Sequence, residues 1–79
     1  MNINELITID PDTCFGKPHI KGTRITVSFI LKLISSGWTI EQILQEYDHL
    51  SREQVMACLI YAGHVVDTCE GKVEISNEI

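Results

Sequence analysis

Two complete helix-start signals lie twelve residues apart in this chain and restrict how its second half can fold. In each signal a hydroxyl residue precedes a glutamine by three positions, first as Thr39 and Gln42 and then as Ser51 and Gln54. This spacing is typical of a capping box, in which the hydroxyl oxygen and the glutamine side chain each bond the other residue's backbone amide. The interval leaves room for only a short helix and a turn between the two starts.

Hydrophobic periodicity extends the pattern to three helices. Apolar residues recur at helical spacing from Val27, and Gly37 provides a stop, which predicts a first helix over about 27–36. The second helix is then expected over about 40–46 and the third over about 52–68. The third helix should turn four apolar residues inward: Val55, Leu59, Ala62 and Val66.

The first 25 residues carry strand and turn signals instead of helical ones. Leu6 to Ile9 alternates in polarity and is rich in β-branched residues, and Pro11 ends that pattern. Lys21-Gly22 predicts a tight turn between two further extended pieces. The expected fold is mostly α, a three-helix bundle of helix-turn-helix outline preceded by short N-terminal strands or a hairpin.

The length of 79 residues limits the chain to one hydrophobic core. We expect a single domain over residues 1–69 and a polar C-terminal tail over 70–79, where the periodicity fades. No apolar run approaches the roughly 20 residues that a bilayer requires, and no signal peptide is visible, so a cytoplasmic location is expected. Three widely spaced cysteines form no recognisable disulfide framework.

The charge of the chain is distributed unevenly. Residues 17–32 contain Lys17, Lys21, Arg24 and Lys32 without an acid, although the whole chain carries a net charge of −5. The net acidity opposes strong non-specific attraction to nucleic acid. The basic segment is therefore the place where we expect an anionic partner to bind.

The order of motifs gives a family resemblance. Gly16-Lys17-Pro18-His19-Ile20-Lys21-Gly22-Thr23-Arg24-Ile25 is its most specific part, and Asp10-Pro11, Gly37-Trp38-Thr39 and Tyr47-Asp48-His49-Leu50-Ser51 flank it in order. Over roughly residues 6–66 the chain resembles the bacterial domain-of-unknown-function family 433. That resemblance implies a homeodomain-like helix-turn-helix and an antitoxin-type role beside PIN-like nuclease toxins, and it supplies no catalytic residues.

The basic hairpin around Lys21-Gly22 is the first candidate site. Its alternating polar side chains are predicted to contact an acidic protein surface or DNA phosphates. The candidates are Lys17, His19, Lys21 and Arg24. In an alternative interpretation, Arg24 serves the fold by pairing with Asp10 or Asp12.

The start of the third helix is the second candidate site. A recognition helix presents its first residues to base edges, which here means Ser51, Arg52 and Gln54. Glu53 opposes this role because its carboxylate repels phosphate. A solvated helix start explains the same residues equally well.

Enzyme chemistry has little support in the sequence. No nucleophile–base spacing, tuned carboxylate pair or phosphate-binding glycine loop is present, so we expect no catalytic residues and no cofactor. Cys14 and His19 would be a single pair of metal ligands, and we expect no metal site. The first hypothesis is an antitoxin that masks a PIN-like nuclease and forms a homodimer through an unpaired strand at Leu6 to Ile9. The alternative is a DNA-binding transcriptional regulator acting through the third helix.

Overall fold

The computed structural model describes residues 2–68, and the predicted tail over 70–79 lies outside them. Within this range the chain is mostly helical, with a short antiparallel strand pair before the larger helices, as predicted. The elements in chain order are α1 (Ile3–Leu6), β1 (Ile7–Thr8), β2 (His19–Ile20), α2 (Val27–Ser35), α3 (Ile40–Glu46) and α4 (Arg52–Thr68). No helix among these residues is long and apolar enough to cross a membrane.

Helix α4 is the element around which the others pack, because it contacts α1, α2, α3 and both strands. The largest fully buried side chains come from four different elements: Ile20, Ile30, Ile43, Val55 and Cys58. Burying an aliphatic side chain of this size contributes about 1.5–3 kcal/mol. Each element is therefore fixed mainly by the apolar side chains that it places against α4.

Both predicted capping boxes are present. The Gln42 amide donates to Thr39 Oγ1 at 3.1 Å, and the Thr39 amide donates to Gln42 Oε1 at 2.8 Å. The corresponding bonds between Ser51 and Gln54 measure 3.2 and 2.7 Å. At the start of α2, Thr26 Oγ1 accepts from the Phe29 amide at 3.0 Å. Each cap satisfies an amide that the helix itself leaves without a partner.

Gly37 ends α2 as its sequence position predicts. Its φ of 100° lies in the left-handed region, which glycine enters without steric cost. The Gly37 amide donates to the Ile34 carbonyl at 3.0 Å, and the Trp38 amide donates to the Leu33 carbonyl at 3.1 Å. These two bonds form a Schellman motif, which reverses the chain toward α3.

The N-terminal segment differs from its prediction. Only Ile7–Thr8 is a strand, because the backbone before it forms one helical turn capped by Asn2 and Ile9 lies beyond the pairing. The strand pairs with β2 of the same chain, with Ile7 opposite Ile20. Since Ile7 is buried in the core of its own molecule, the premise of a separate, unpaired strand that mediates self-association is wrong.

The predicted turn at Lys21-Gly22 is present. The Ile20 amide donates to the Ile25 carbonyl at 2.9 Å, and Gly22 adopts a φ of 84°. Thr23 stabilises the turn from within, because its Oγ1 donates to the Ile20 carbonyl at 2.9 Å and accepts from the Ile25 amide at 3.0 Å. The turn therefore has a defined backbone even though it lies at the surface.

The inward face predicted for α4 is only partly correct. Val55 is fully buried, but Val66 is 70% exposed and Ala62 is half-buried. The last turns of α4 and the first turns of α2 form the two walls of an open groove, so the apolar period of α4 continues past the closed core. The apolar periodicity therefore identifies the inward face of α4, but it does not show how far along the helix that face is covered.

We expect Thr39→Ala and Ser51→Ala each to lower the free energy of unfolding by about 1 kcal/mol, because each removes the acceptor for a helix amide. Urea unfolding followed by circular dichroism measures the change. Ser36→Ala, an exposed serine after the end of α2, is the control and should leave the midpoint unchanged. Unchanged midpoints for both cap variants would contradict the capping assignment.

The Cys58 thiol should be inert in the folded protein, because burial raises its pKa to about 11. At about pH 8 only about one such thiol in a thousand is the reactive thiolate. In a variant with Cys14→Ser and Cys69→Ser, we expect no reaction with a disulfide reagent until denaturant is added. The matched variant that keeps only the half-buried Cys14 should react without denaturant. Rapid native reaction of Cys58 would contradict its buried position.

Candidate functional site

The four hairpin candidates do not share one environment. Lys17, Lys21 and Arg24 are exposed, whereas His19 is only 3% exposed. The prediction of His19 as a partner contact is wrong, because the backbones of Thr8 and Thr26 flank it on either side. This burial depends on pairing between distant segments, which local sequence spacing does not reveal.

His19 instead serves the local structure. Its Nδ1 lies 2.9 Å from the Lys17 carbonyl oxygen, and because that oxygen can only accept, Nδ1 is the donor. The Val27 amide donates to the Pro18 carbonyl at 3.0 Å, which ties the next residue to the start of α2. The backbone that carries Lys17 is thus held from two sides.

The three exposed cations of the hairpin make no ion pair within residues 2–68. The salt bridge observed there joins Arg52 to Glu41. The alternative in which Arg24 pairs with Asp10 or Asp12 is therefore not seen. Asp10 is used locally, since its carboxylate accepts from the Asp12 amide at 2.9 Å. Lys17, Lys21 and Arg24 accordingly present positive charge that the described part of the chain does not neutralise.

A left-handed turn at Cys14–Gly16 precedes the basic hairpin and was not anticipated from the sequence. Cys14 and Phe15 have φ values of 54° and 55°, and Gly16 follows at 77°. Left-handed backbone costs an ordinary residue about 1–2 kcal/mol. Two hydrogen bonds close the turn, from the Gly16 amide to the Thr13 carbonyl at 3.1 Å and from the Lys17 amide to the Cys14 carbonyl at 3.0 Å.

Phe15 projects from this turn into solvent and is 97% exposed, more than any other large apolar residue described. Its side chain borders a surface depression of about 460 Å³ together with Lys17 and Arg24. Asp12 and Thr26 also line this depression, whereas Lys21 does not. The fold therefore places an aromatic ring beside two of the predicted cations. The available sequence signal was a large apolar residue in a turn, outside any periodic pattern.

The candidates for DNA reading already have partners within the chain. Ser51 and Gln54 bond each other in the second capping box. Arg52 Nη2 donates to Glu41 Oε2, and this hydrogen bond and charge hold the pKa of the exposed Glu41 carboxyl below its ordinary value. The Arg52–Glu41 contact connects the starts of α3 and α4, and together with the capping box it engages all three side chains that base reading would require.

A family model described as "Protein of unknown function (DUF433)" matches residues 7–62. The chain is a member of the DUF433 family. This confirms the family to which the hairpin motif pointed, and the matched region includes both the left-handed turn and the basic hairpin.

A solved structure and a curated protein are similar to this DUF433 chain. The crystal structure of a DUF433 member from Anabaena variabilis ATCC 29413 superposes with a TM-score of 0.76 at 26% identity, covering 82% of this chain and 64% of that one. The uncharacterized protein y4eO of Sinorhizobium fredii (strain NBRC 101917 / NGR234) is 31% identical over 58 residues. That match covers 73% of this chain, which spans about a quarter (26%) of the length of y4eO.

Replacing Phe15 with asparagine should raise the free energy of unfolding by roughly 0.5–1 kcal/mol, because asparagine tolerates left-handed backbone better than phenylalanine does. Phe15 contributes almost nothing to the core, so little packing is lost. Urea unfolding in dilute solution measures the change. Phe15→Leu, which keeps the unfavourable backbone, is the control, and an asparagine variant no more stable than the leucine variant would contradict the conformational argument.

Proposed function

We propose that this DUF433 protein is a non-enzymatic, antitoxin-type partner that binds and masks a PIN-like nuclease toxin in the cytoplasm. The observation that carries the proposal is the set of exposed cations on the basic hairpin that make no ion pair among residues 2–68, in a chain whose net charge is −5. An acidic protein gains more from such a surface than nucleic acid does, because the rest of the chain repels a polyanion at long range. The family resemblance supplies the class of partner.

The backbone of the hairpin supports this role. The Thr23 side chain fixes the turn, and the hydrogen bond from His19 fixes the carbonyl of Lys17. The hairpin therefore presents its charges on a pre-formed backbone. It loses less conformational entropy when a partner binds than a flexible loop would. A binding surface needs such a rigid backbone, whereas a charge that only increases solubility does not need one.

The chemistry of masking follows from charge. PIN-like nuclease sites hold divalent metal with clustered carboxylates, so an inserted ammonium or guanidinium group competes with the metal for them. Arg24 is suited to a carboxylate because its planar guanidinium can donate two parallel hydrogen bonds. Lys17 and Lys21 add positive charge nearby, and we assign the masking contact to these three side chains.

Helix-turn-helix DNA binding is the other function considered, with α3 as first helix and α4 as recognition helix. The homeodomain-like arrangement of the helices is part of this second hypothesis. No observation favours it as the main activity, because Ser51, Arg52 and Gln54 are all engaged in contacts within the chain. Reading bases with Arg52 would first require breaking its ion pair with Glu41.

Charge reversal tests the proposed function. Changing Lys17, Lys21 and Arg24 together to glutamate should leave the helical circular dichroism spectrum intact and abolish binding to a cognate PIN-like nuclease, measured by calorimetry. Lys32→Glu is the control, since Lys32 is an exposed cation of the same basic segment but lies on α2. Normal binding by the triple variant would overturn the assignment of the hairpin.

A second pair of changes separates the two functions. Arg52→Ala with Gln54→Ala should spare nuclease binding, because neither residue lies on the hairpin. If the protein acts mainly as a DNA-binding regulator, the same double variant loses operator binding while the triple hairpin variant keeps its sequence preference. That result would replace the antitoxin proposal with the regulator.

A further inference from the structure

The aromatic ring of Phe15 lies outside the core of its own molecule. The side chain is 97% exposed, and the residue has a left-handed φ of 55°. Both features cost an isolated chain free energy, because water contacts nearly the whole ring and ordinary residues rarely adopt this backbone conformation. The turn is nevertheless closed by hydrogen bonds from Gly16 to Thr13 and from Lys17 to Cys14. A ring presented at such a cost gains free energy when another surface covers it.

The charges around this ring indicate the kind of surface that covers it. Lys17 and Arg24 border the depression beside Phe15, and both are exposed and make no ion pair among residues 2–68. Asp12 is the acid among the described residues that line the depression, so cations outnumber acids there by two to one. A projecting ring with cations at its side is complementary to an apolar pocket that has carboxylates at its rim.

Charge disfavours two other occupants of this surface. A two-fold contact with a second copy around Phe15 would place Lys17 and Arg24 against the same cations of that copy. Single-stranded nucleic acid stacks its bases on several aromatic rings along a basic groove, whereas Phe15 is the one ring bordering this depression among the described residues. The net charge of −5 also repels a polyanion at long range. An acidic protein surface gains from both the ring and the cations.

We propose that Phe15 is the apolar anchor of the partner-binding surface: its ring enters an apolar pocket of the masked nuclease, and Lys17 and Arg24 pair with carboxylates at the rim of that pocket. This assignment rests on the proposed function and adds the source of its selectivity. Many acidic surfaces attract the cations, but only a surface with a pocket of suitable shape accepts the ring. The cations act over a distance that salt shortens, whereas the ring contributes only on contact.

Calorimetric titration of the full-length protein with a cognate PIN-like nuclease tests the anchor. Phe15→Asn should weaken binding at least about tenfold, as expected for an aromatic hot spot, and Phe15→Leu should lose less. Unfolding cannot explain that loss, because the asparagine variant is expected to be more stable than the wild type. Ile9→Asn is the matched control, since Ile9 is 57% exposed and lies outside the depression, and it should bind as the wild type does. Unchanged affinity in Phe15→Asn, or an equal loss in Ile9→Asn, would overturn the assignment.

Heat capacity and salt dependence separate the ring from the charges. Burial of apolar surface makes the heat-capacity change of binding negative, so Phe15→Asn should make it less negative. The same variant keeps every charge and should leave the dependence of affinity on salt concentration unchanged. Replacing Lys17 and Arg24 with glutamine should do the reverse: the salt dependence falls and the heat-capacity change stays near the wild-type value. A wild-type heat-capacity change in Phe15→Asn would show that the ring is not buried by the partner.

Asp12 provides a test in which affinity should increase. Its carboxylate borders the same depression and would repel carboxylates at the rim of the partner pocket. Asp12→Asn should therefore tighten nuclease binding by about two- to fivefold, the range of an exposed charge pair. Glu5→Gln changes the net charge equally at an exposed position outside the depression, and it should leave the affinity unchanged. Equal or weaker binding by Asp12→Asn would contradict an acidic rim, and damage to the fold cannot produce the expected gain.

The same titrations distinguish failure of the anchor from failure of the proposed function. If the wild-type protein does not bind the nuclease, both are overturned. If the triple charge-reversal variant loses binding while Phe15→Asn binds as the wild type does, the anchor alone is overturned. Fluorescence anisotropy with a single-stranded oligothymidine tests the stacking alternative, for which we expect no effect of Phe15→Asn. Loss of oligothymidine binding in that variant, with nuclease binding intact, would make the ring a nucleic-acid platform and overturn the assignment.

Discussion

The packing of every element against α4 is the constraint on which the rest of this structure depends. In a chain of 79 residues a single core must serve all elements, and one helix of 17 residues provides the surface for it. Ile30 of α2, Ile43 of α3 and Ile20 of β2 are fully buried in the same cluster as Val55 and Cys58 of α4. The strands are only two residues long and have no independent stability, so they exist because α4 covers them.

That dependence explains how a surface turn acquires a defined geometry. Ile7 and Ile20 are anchored in the core, so the chain between them must form a closed surface loop of fixed ends. Local hydrogen bonds restrict the backbone of this loop further. Asp10 accepts from the Asp12 amide at its start, and His19 donates to the Lys17 carbonyl at its end. The left-handed conformation of Phe15 is maintained by this closure, which is how a small domain can hold an aromatic ring away from its own core.

Among the residues that the structure describes, the same packing leaves an apolar groove open between α2 and α4. The first turns of α2 and the last turns of α4 form the two walls of this groove. The basic hairpin adjoins this groove through Lys17 and Pro18. Charge, aromatic ring and apolar groove thus lie on one continuous region, while the opposite start of α4 is occupied by its own capping box and ion pair.

The sequence by itself determined the elements that rest on bonds between near neighbours. Thr39 and Ser51 each bond a residue three positions away, and Gly37 is the residue that the left-handed end of α2 requires. Family membership was also visible in the linear order of the hairpin motif. Only the tertiary structure decided that His19 is buried and that Phe15 is exposed. Both outcomes depend on which distant segments of the chain pack together, because burial is set by that packing. A cap or a turn, in contrast, is formed by residues within four positions of each other.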